Sequence, residues 1–103
     1  MKEKHWQGTE RRICEALGKR HLGGPGEPDC SGGGEVVEVK DQERRLSKTQ
    51  MRDIVNKRWA EDKPLVVVST SGFSDGAKRI ARRHGDVHLY KGYEDGRSRK
   101  IRK

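Results

Sequence analysis

The sequence is poor in apolar residues and in aromatic rings. Only 29% of its 103 residues are hydrophobic and 5% are aromatic, which leaves room for one modest core in one domain. No apolar run approaches the roughly 18–20 residues of a transmembrane helix, and the N-terminal stretch MKEKHWQGTERR lacks the apolar centre of a secretory signal. We therefore expect no membrane association and a cytoplasmic, intracellular protein.

Cysteine is also scarce. The two cysteines, Cys14 and Cys30, are too few for a disulfide framework, and without a CxxC pair they do not match a zinc site. Unpaired cysteines are commonly buried as small apolar residues. We therefore predict that both are reduced and structural.

Positive charge, in contrast, is in excess. The formal net charge is +8, and a small basic protein attracts polyanions, of which nucleic acid is the usual one. A solvated basic surface, or the many charged residues of a heat-adapted protein, would have the same composition. Residues 96–103, GRSRKIRK, show no apolar periodicity and predict a flexible basic tail after a single domain of residues 1–95.

The predicted elements follow the order helix, strand, strand, helix, strand, helix, strand. Apolar spacing predicts helices over 4–20, 47–60 and 73–85, and extended segments over 27–30, 35–40, 65–70 and 86–90. The turn SGGG joins the first two extended segments as a hairpin, LVVVST is typical of a buried strand, and DVHLY predicts a strand at the sheet edge. The fold class expected is α/β, with a mixed central sheet flanked by helices and room for one extra short strand.

Charged residues interrupt the segment EVVEVK. In a strand, Glu38 and Lys40 share one face, while Val37 and Val39 lie on the other. Taken alone, this pair is best explained as a surface ion pair of small energetic value. If the glycine turn folds Asp29 back beside Glu38, however, two carboxylates meet, and they repel unless a cation lies between them. Mg²⁺, with Mn²⁺ as a substitute, prefers such oxygen ligands.

Lysine adds a second chemical function to this predicted site. An ammonium group beside a metal-bound water could help to orient and deprotonate that water. It could also offset the charge that develops on an attacked phosphate. Together, Asp29, Glu38 and Lys40 predict phosphodiester hydrolysis through a metal-activated water.

These residues also carry a resemblance to a known superfamily. Pro28-Asp29, followed after eight residues by Glu38-Val39-Lys40, resembles the PD-(D/E)xK signature of restriction-endonuclease-like nucleases. The segment LVVVSTSGFSDGAKRIARRHGDVHLY is similar to the Mrr-like branch, and the resemblance covers about residues 6–95. It implies a restriction-endonuclease-like core and a Mg²⁺-dependent DNA endonuclease of the Mrr-like or Holliday junction resolvase-like type.

The resemblance also implies residue roles. Asp29 and Glu38 would be metal ligands and Lys40 the catalytic lysine. Glu10 matches an additional acidic residue that several of these nucleases carry on the first helix and would be a third metal ligand; a solvated helix carboxylate is the alternative. Mrr-like proteins often have Gln where Glu38 stands, and we expect no separate DNA-recognition domain of the kind that restriction members carry. Structure-selective cutting or nicking is therefore expected rather than sequence-specific cleavage.

Contacts with DNA are expected mainly from groups that bind phosphate. The candidates lie after the predicted catalytic strand and at a helix N-terminus: Arg44, Arg45, Lys48, Ser69, Thr70 and Ser71. The two arginines could equally be ordinary solubilising loop residues. Gln50 could reach the site, but its spacing from Ser47 fits a capping box, which is the preferred interpretation.

The oligomeric state follows only indirectly. One site cuts one strand, so cleavage of both strands would need a homodimer. The second helix with Trp59, or the final strand, could form its interface; these apolar residues could equally only complete the core. Three functions therefore compete. The first is a DNA endonuclease acting on duplex or branched DNA, the second a non-catalytic DNA-binding module, and the third a subunit of a larger nucleic-acid-processing complex that retains the nuclease fold.

Overall fold

The computed structural model describes residues 5–22, 28–57 and 63–102, with the backbone alone for residues 5–7. Three helices lie in these ranges: α1 (His5–Ala16), α2 (Lys48–Lys57) and α3 (Asp75–Arg82). The strands are β1 (Arg20–His21), β2 (Cys30–Gly32), β3 (Glu35–Lys40), β4 (Leu65–Ser69), β5 (Val87–Gly92) and β6 (Ser98–Ile101). No helix within the described ranges is long and apolar enough to cross a membrane.

All six strands form one mixed sheet in the spatial order β1-β2-β3-β4-β5-β6. The pairs β1/β2, β2/β3 and β5/β6 are antiparallel, while β3, β4 and β5 run parallel. The parallel strands are linked through α2 and α3, as crossover connections require. The predicted α/β class and mixed sheet are therefore confirmed, but two strands, β1 and β6, are added to the four expected, where one extra short strand was allowed.

Helices cover both faces of the sheet. On one face, buried residues of α2 and α3, such as Met51 and Ile80, pack against Val67 and Leu89. On the other face, Ile13 and Cys14 of α1 pack against alternate strand residues, including Val37, Val39 and Val68. Because both faces are buried, all five residues of β4 are buried, and the predicted continuous strand is confirmed.

The hairpin between β2 and β3 was predicted from SGGG and is confirmed. Cys30 pairs with Val37, and Gly32 pairs with Glu35. Gly33 and Gly34 have φ angles of 62° and 77°, values that residues with a side chain rarely adopt. The glycine run therefore permits the tight reversal that returns the Asp29 segment alongside β3.

Residues 86–90 lie almost entirely in a strand, as predicted, but the prediction that this strand is at the sheet edge is wrong. Within β5, Leu89 pairs with Ile101 of β6, while β4 lies on the other side. The expected flexible tail is likewise corrected, because Ser98–Ile101 is a strand and Ile101 packs against the core. An interface through β5 would need an open edge that this strand lacks. Trp59, the other proposed interface residue, lies outside the described residues.

A capping box begins α2, as the sequence predicted. The backbone N–H of Gln50 donates to Ser47 Oγ at 3.1 Å, and the Ser47 N–H donates to Gln50 Oε1 at 3.0 Å. Gln50 also exchanges hydrogen bonds with the Gln42 side chain. Gln50 therefore joins the start of α2 to the loop that follows β3.

The prediction that both cysteines are reduced is wrong. Cys14 of α1 and Cys30 of β2 form a disulfide, with 5.5 Å between their Cα atoms and no exposure to solvent. This Cα separation lies in the normal range for disulfides. The pairing arises because α1 packs directly over β2 and β3, a contact that spacing along the chain does not reveal.

Candidate active site

The carboxylates singled out in the sequence lie together in one small pocket. It has a volume of about 260 Å³ at the C-terminal end of β3, and Glu10, Asp29, Glu38 and Lys40 are among its lining residues. Glu10 comes from α1, Asp29 from the segment before β2, and the other two from β3. Three separate parts of the chain thus converge here.

Strand register places Asp29 beside Glu38. Because Cys30 pairs with Val37 in an antiparallel pair, Asp29, which directly precedes β2, lies opposite Glu38. The Val39 backbone N–H donates to Asp29 Oδ2 at 2.7 Å, which fixes the carboxylate against β3. The geometry that the sequence suggested for Asp29 and Glu38 is therefore present.

Glu38 is only 7% exposed, and its electrostatic environment is unusual. Burial raises its pKa to about 9, helped by a hydrogen bond to Asp29 and by the Asp29 charge, while the Lys40 ammonium acts in the opposite direction. In the absence of a cation, Glu38 therefore holds a proton at neutral pH. The protonated Glu38 side chain is hydrogen-bonded to Asp29.

Glu10 lies at the side of the same pocket and is 6% exposed. Burial raises its pKa, and the hydrogen bond from His21 opposes that rise. The His21 Nε2 atom lies 2.9 Å from Glu10 Oε2. Glu10 is therefore a buried carboxylate held by a histidine, which excludes the alternative of a solvated helix residue; its role as a metal ligand stays a prediction.

The donor set can be compared with what a metal ion requires. Among the residues that the structure describes, no group of three or more His, Cys, Asp or Glu side chains is arranged to hold a metal ion. Mg²⁺ needs less, because it usually keeps several waters and binds one or two carboxylates together with a substrate phosphate. Asp29 and Glu38, two touching carboxyl groups at an open pocket, fit that smaller requirement.

The hydroxyl groups predicted to contact DNA brace the loop after β4. Ser69 is fully buried, and its Oγ donates to the Gly72 carbonyl at 2.7 Å. Ser71 Oγ donates to the Arg44 carbonyl. Contact between Ser69 and a phosphate would require this turn to open, so its position does not support the predicted role. For Thr70 and Ser71, contact with DNA stays a prediction.

The basic residues predicted to contact DNA are exposed. Arg44 and Arg45 lie in the loop between β3 and α2, and Lys48 begins α2. None of the three forms an ion pair with a described residue. They follow directly after the strand that carries Glu38 and Lys40, and their interaction with phosphates stays a prediction.

Two residues of this region were missed in the sequence. His21 lies in β1, a strand of two residues, too short for any periodic signal. Asp41 lines the pocket directly after Lys40, and its Oδ1 accepts a hydrogen bond of 2.9 Å from Thr70 Oγ1. The sequence signal that could have identified Asp41 is its position directly after the strand that carries Glu38 and Lys40.

The raised pKa of Glu38 predicts a pH dependence of stability. Between about pH 4.5 and 9, folded Glu38 keeps a proton that the unfolded chain has lost, so its contribution to stability is complete below pH 4.5 and is lost as pH rises. One such proton lowers the free energy of unfolding by at most about 1.4 kcal/mol per pH unit. We expect urea unfolding in EDTA to show stability falling from pH 5 to 8.5.

Matched variants separate Glu38 from other causes of that slope. Glu38→Gln should flatten most of it, because the amide does not titrate. Glu10→Gln should flatten it less, since Glu10 has a raised pKa that His21 partly offsets. An unchanged slope in Glu38→Gln would show that Glu38 is ionised in the folded protein.

No protein-family model matches the chain, and neither a curated protein nor a solved structure is significantly similar to it. The resemblance to restriction-like nucleases therefore depends on the motif residues and the order of elements.

Proposed function

We propose that this protein is a Mg²⁺-dependent DNA endonuclease with a restriction-endonuclease-like core. The observation that supports the proposal is the convergence of Asp29, Glu38 and Lys40 on one pocket at the end of β3. The formal charge of +8 supports a polyanionic substrate. Together, these features favour hydrolysis of a phosphodiester bond.

Asp29 and Glu38 would hold the metal ion. The Val39 N–H keeps Asp29 oriented, and Glu38 must release its proton to become an anionic ligand. A bound Mg²⁺ would polarise a phosphate oxygen and lower the pKa of a coordinated water. Glu10, behind them, would increase the negative potential that attracts the cation.

Lys40 would act on the phosphate and on the attacking water. It shares the pocket with the two carboxylates, and its ammonium offsets part of the rise in the pKa of Glu38. A positive group at this position can donate a hydrogen bond to a phosphate oxygen and stabilise the negative charge that forms in the transition state. Lys40 can also orient the water for attack.

A non-catalytic DNA-binding module is the alternative. It is supported by one observation, the exposed basic residues Arg44, Arg45 and Lys48, which could bind phosphates without a metal ion. Such a module would bind DNA through its basic surface and would not need two hydrogen-bonded carboxyl groups beside a lysine.

Incubation of the purified protein with supercoiled plasmid and with branched DNA tests the proposal. We expect Mg²⁺ or Mn²⁺ to produce nicked or cut DNA, and EDTA to prevent it. Asp29→Asn, which removes one anionic ligand while keeping the size of the side chain, should abolish cleavage.

The other outcomes are equally informative. Cleavage that persists in EDTA, or that is unchanged in Asp29→Asn, would contradict a metal-dependent reaction at this pocket. Retardation of DNA without cleavage under every metal condition would support the binding module.

A further inference from the structure

Tyr93 occupies an unusual position between β5 and β6. Among the described residues it is the one large hydrophobic side chain that is exposed, at 38%. Its N–H donates to the Arg97 carbonyl at 2.9 Å, and its own carbonyl accepts from the Gly96 N–H at the same distance. The Arg12 side chain donates to the Glu94 carbonyl at 2.7 Å. Tyr93 therefore lies in a turn that is held by hydrogen bonds within the turn and by a hydrogen bond from α1.

Two cations lie close to the Tyr93 ring. Lys91 Nζ is 5.1 Å and the Arg97 guanidinium carbon 5.6 Å from the ring centroid. The ammonium is further held by the Thr70 carbonyl, and the guanidinium by Asp95 Oδ2 at 2.7 Å. Tyr93 therefore stays partly exposed to solvent with two cations beside its ring.

Tyr93 lines a groove that continues from the carboxylate pocket. The groove has a volume of about 790 Å³, and Asp41 and Gln42 line both it and the pocket. Across the parallel strands, Lys40 pairs with Ser69 and Ser69 with Lys91. Two strand spacings, about 10 Å, therefore separate the catalytic candidate Lys40 from the lysine beside Tyr93.

The charges in this groove select what can enter it. Asp41, Glu43 and Glu94 line it together with Lys91, so a run of phosphates would meet more negative than positive groups. A neutral planar base suits the groove better, because it can stack on an aromatic ring. The amino groups of adenine and cytosine can also donate hydrogen bonds to carboxylates.

We propose that Tyr93 and this groove bind an unpaired nucleobase close to the phosphate at the carboxylate pocket. The preferred substrate would then be nucleic acid with single-stranded nucleotides, such as a single strand or a flap, rather than continuous duplex. The position of the bond that is cut rests on the proposed function. Binding of the base does not, because it needs neither the metal ion nor cleavage.

Binding measured in EDTA tests this inference separately from catalysis. Fluorescence anisotropy would compare a labelled single strand, a flap and a blunt duplex with wild type, Tyr93→Ala and Tyr93→Phe. Stacking on an aromatic side chain contributes about 1–3 kcal/mol per base, so Tyr93→Ala should weaken single-strand and flap binding roughly 5- to 150-fold. Tyr93→Phe should retain the affinity, and the duplex should be unaffected.

A fluorescent base gives a second readout. 2-Aminopurine placed in the single-stranded part should be quenched by the wild type and by Tyr93→Phe, but not by Tyr93→Ala. Equal weakening of duplex and single-strand binding, or no change in either, would overturn the proposal. Tyr93→Ala could selectively lose single-strand and flap binding while the wild type cleaves no substrate. That result would support base binding in the groove and contradict the proposed nuclease function.

Discussion

Replacing Lys40 with alanine is expected to lower the rate of Mg²⁺-dependent cleavage by about 10²- to 10³-fold, the usual cost of losing one group that stabilises transition-state charge. Its ammonium shares the pocket with Asp29 and Glu38, where a phosphate would lie. DNA affinity in EDTA should change little, because exposed basic residues elsewhere provide most of the long-range attraction. The measurement is the single-turnover rate of plasmid nicking, with binding determined in parallel.

Lys63→Ala is the matched control for this prediction. Lys63 is exposed and precedes β4, so it lies at the end of the parallel strands opposite to the pocket. The Lys63→Ala substitution removes the same charge from the protein and should leave the cleavage rate unchanged. Equal rates for Lys40→Ala and wild type, or equal losses in the two variants, would exclude a catalytic role for Lys40.

Removal of the Cys14–Cys30 disulfide is expected to destabilise the protein by about 3 kcal/mol, because the closed loop of the unfolded chain, with a sequence separation of 16, is freed. That is a large part of the total stability of a small domain. Urea unfolding of the wild type with and without a phosphine reductant would measure it. A thiol titration should find no free thiol before unfolding and reduction and two afterwards.

The double variant Cys14→Ala, Cys30→Ala provides the control. It should be less stable than the oxidised wild type, and the reductant should not affect it. Since the bond joins the helix of Glu10 to the strand that follows Asp29, cleavage activity should fall in parallel with stability. A reductant that left the unfolding curve of the wild type unchanged would show that the thiols are unpaired in solution.

Sequence patterns predicted the centre of the sheet but not its edges. The run Leu65–Ser69 is apolar and rich in β-branched residues, so its burial on both faces could be foreseen. β6 contains one apolar residue, Ile101, in a segment that otherwise reads as a basic tail. Its strand structure depends on backbone pairing with β5, and because its two central residues are exposed and its two end residues only partly buried, it has no apolar alternation that could reveal it.

The candidate site was predictable to the extent that it depends on strand geometry. Alternation in β3 and the glycine turn were sufficient to bring Asp29 to Glu38. The packing of α1 over the sheet was not predictable to the same extent, because the apolar spacing of that helix does not define which strands it covers. Both the disulfide and the contact between His21 and Glu10 depend on this packing.

The last strand has a consequence for how the molecule behaves in concentrated solution. Within the part of the chain that the structure describes, β6 forms one border of the sheet, and no strand pairs with the backbone groups on its outer side. Arg99 and Lys100 are exposed there. A second copy adding its own β6 would bring like charges together, which opposes edge-to-edge polymerisation. This protection is ionic and weakens in salt, so the tendency to aggregate through this border should increase with ionic strength.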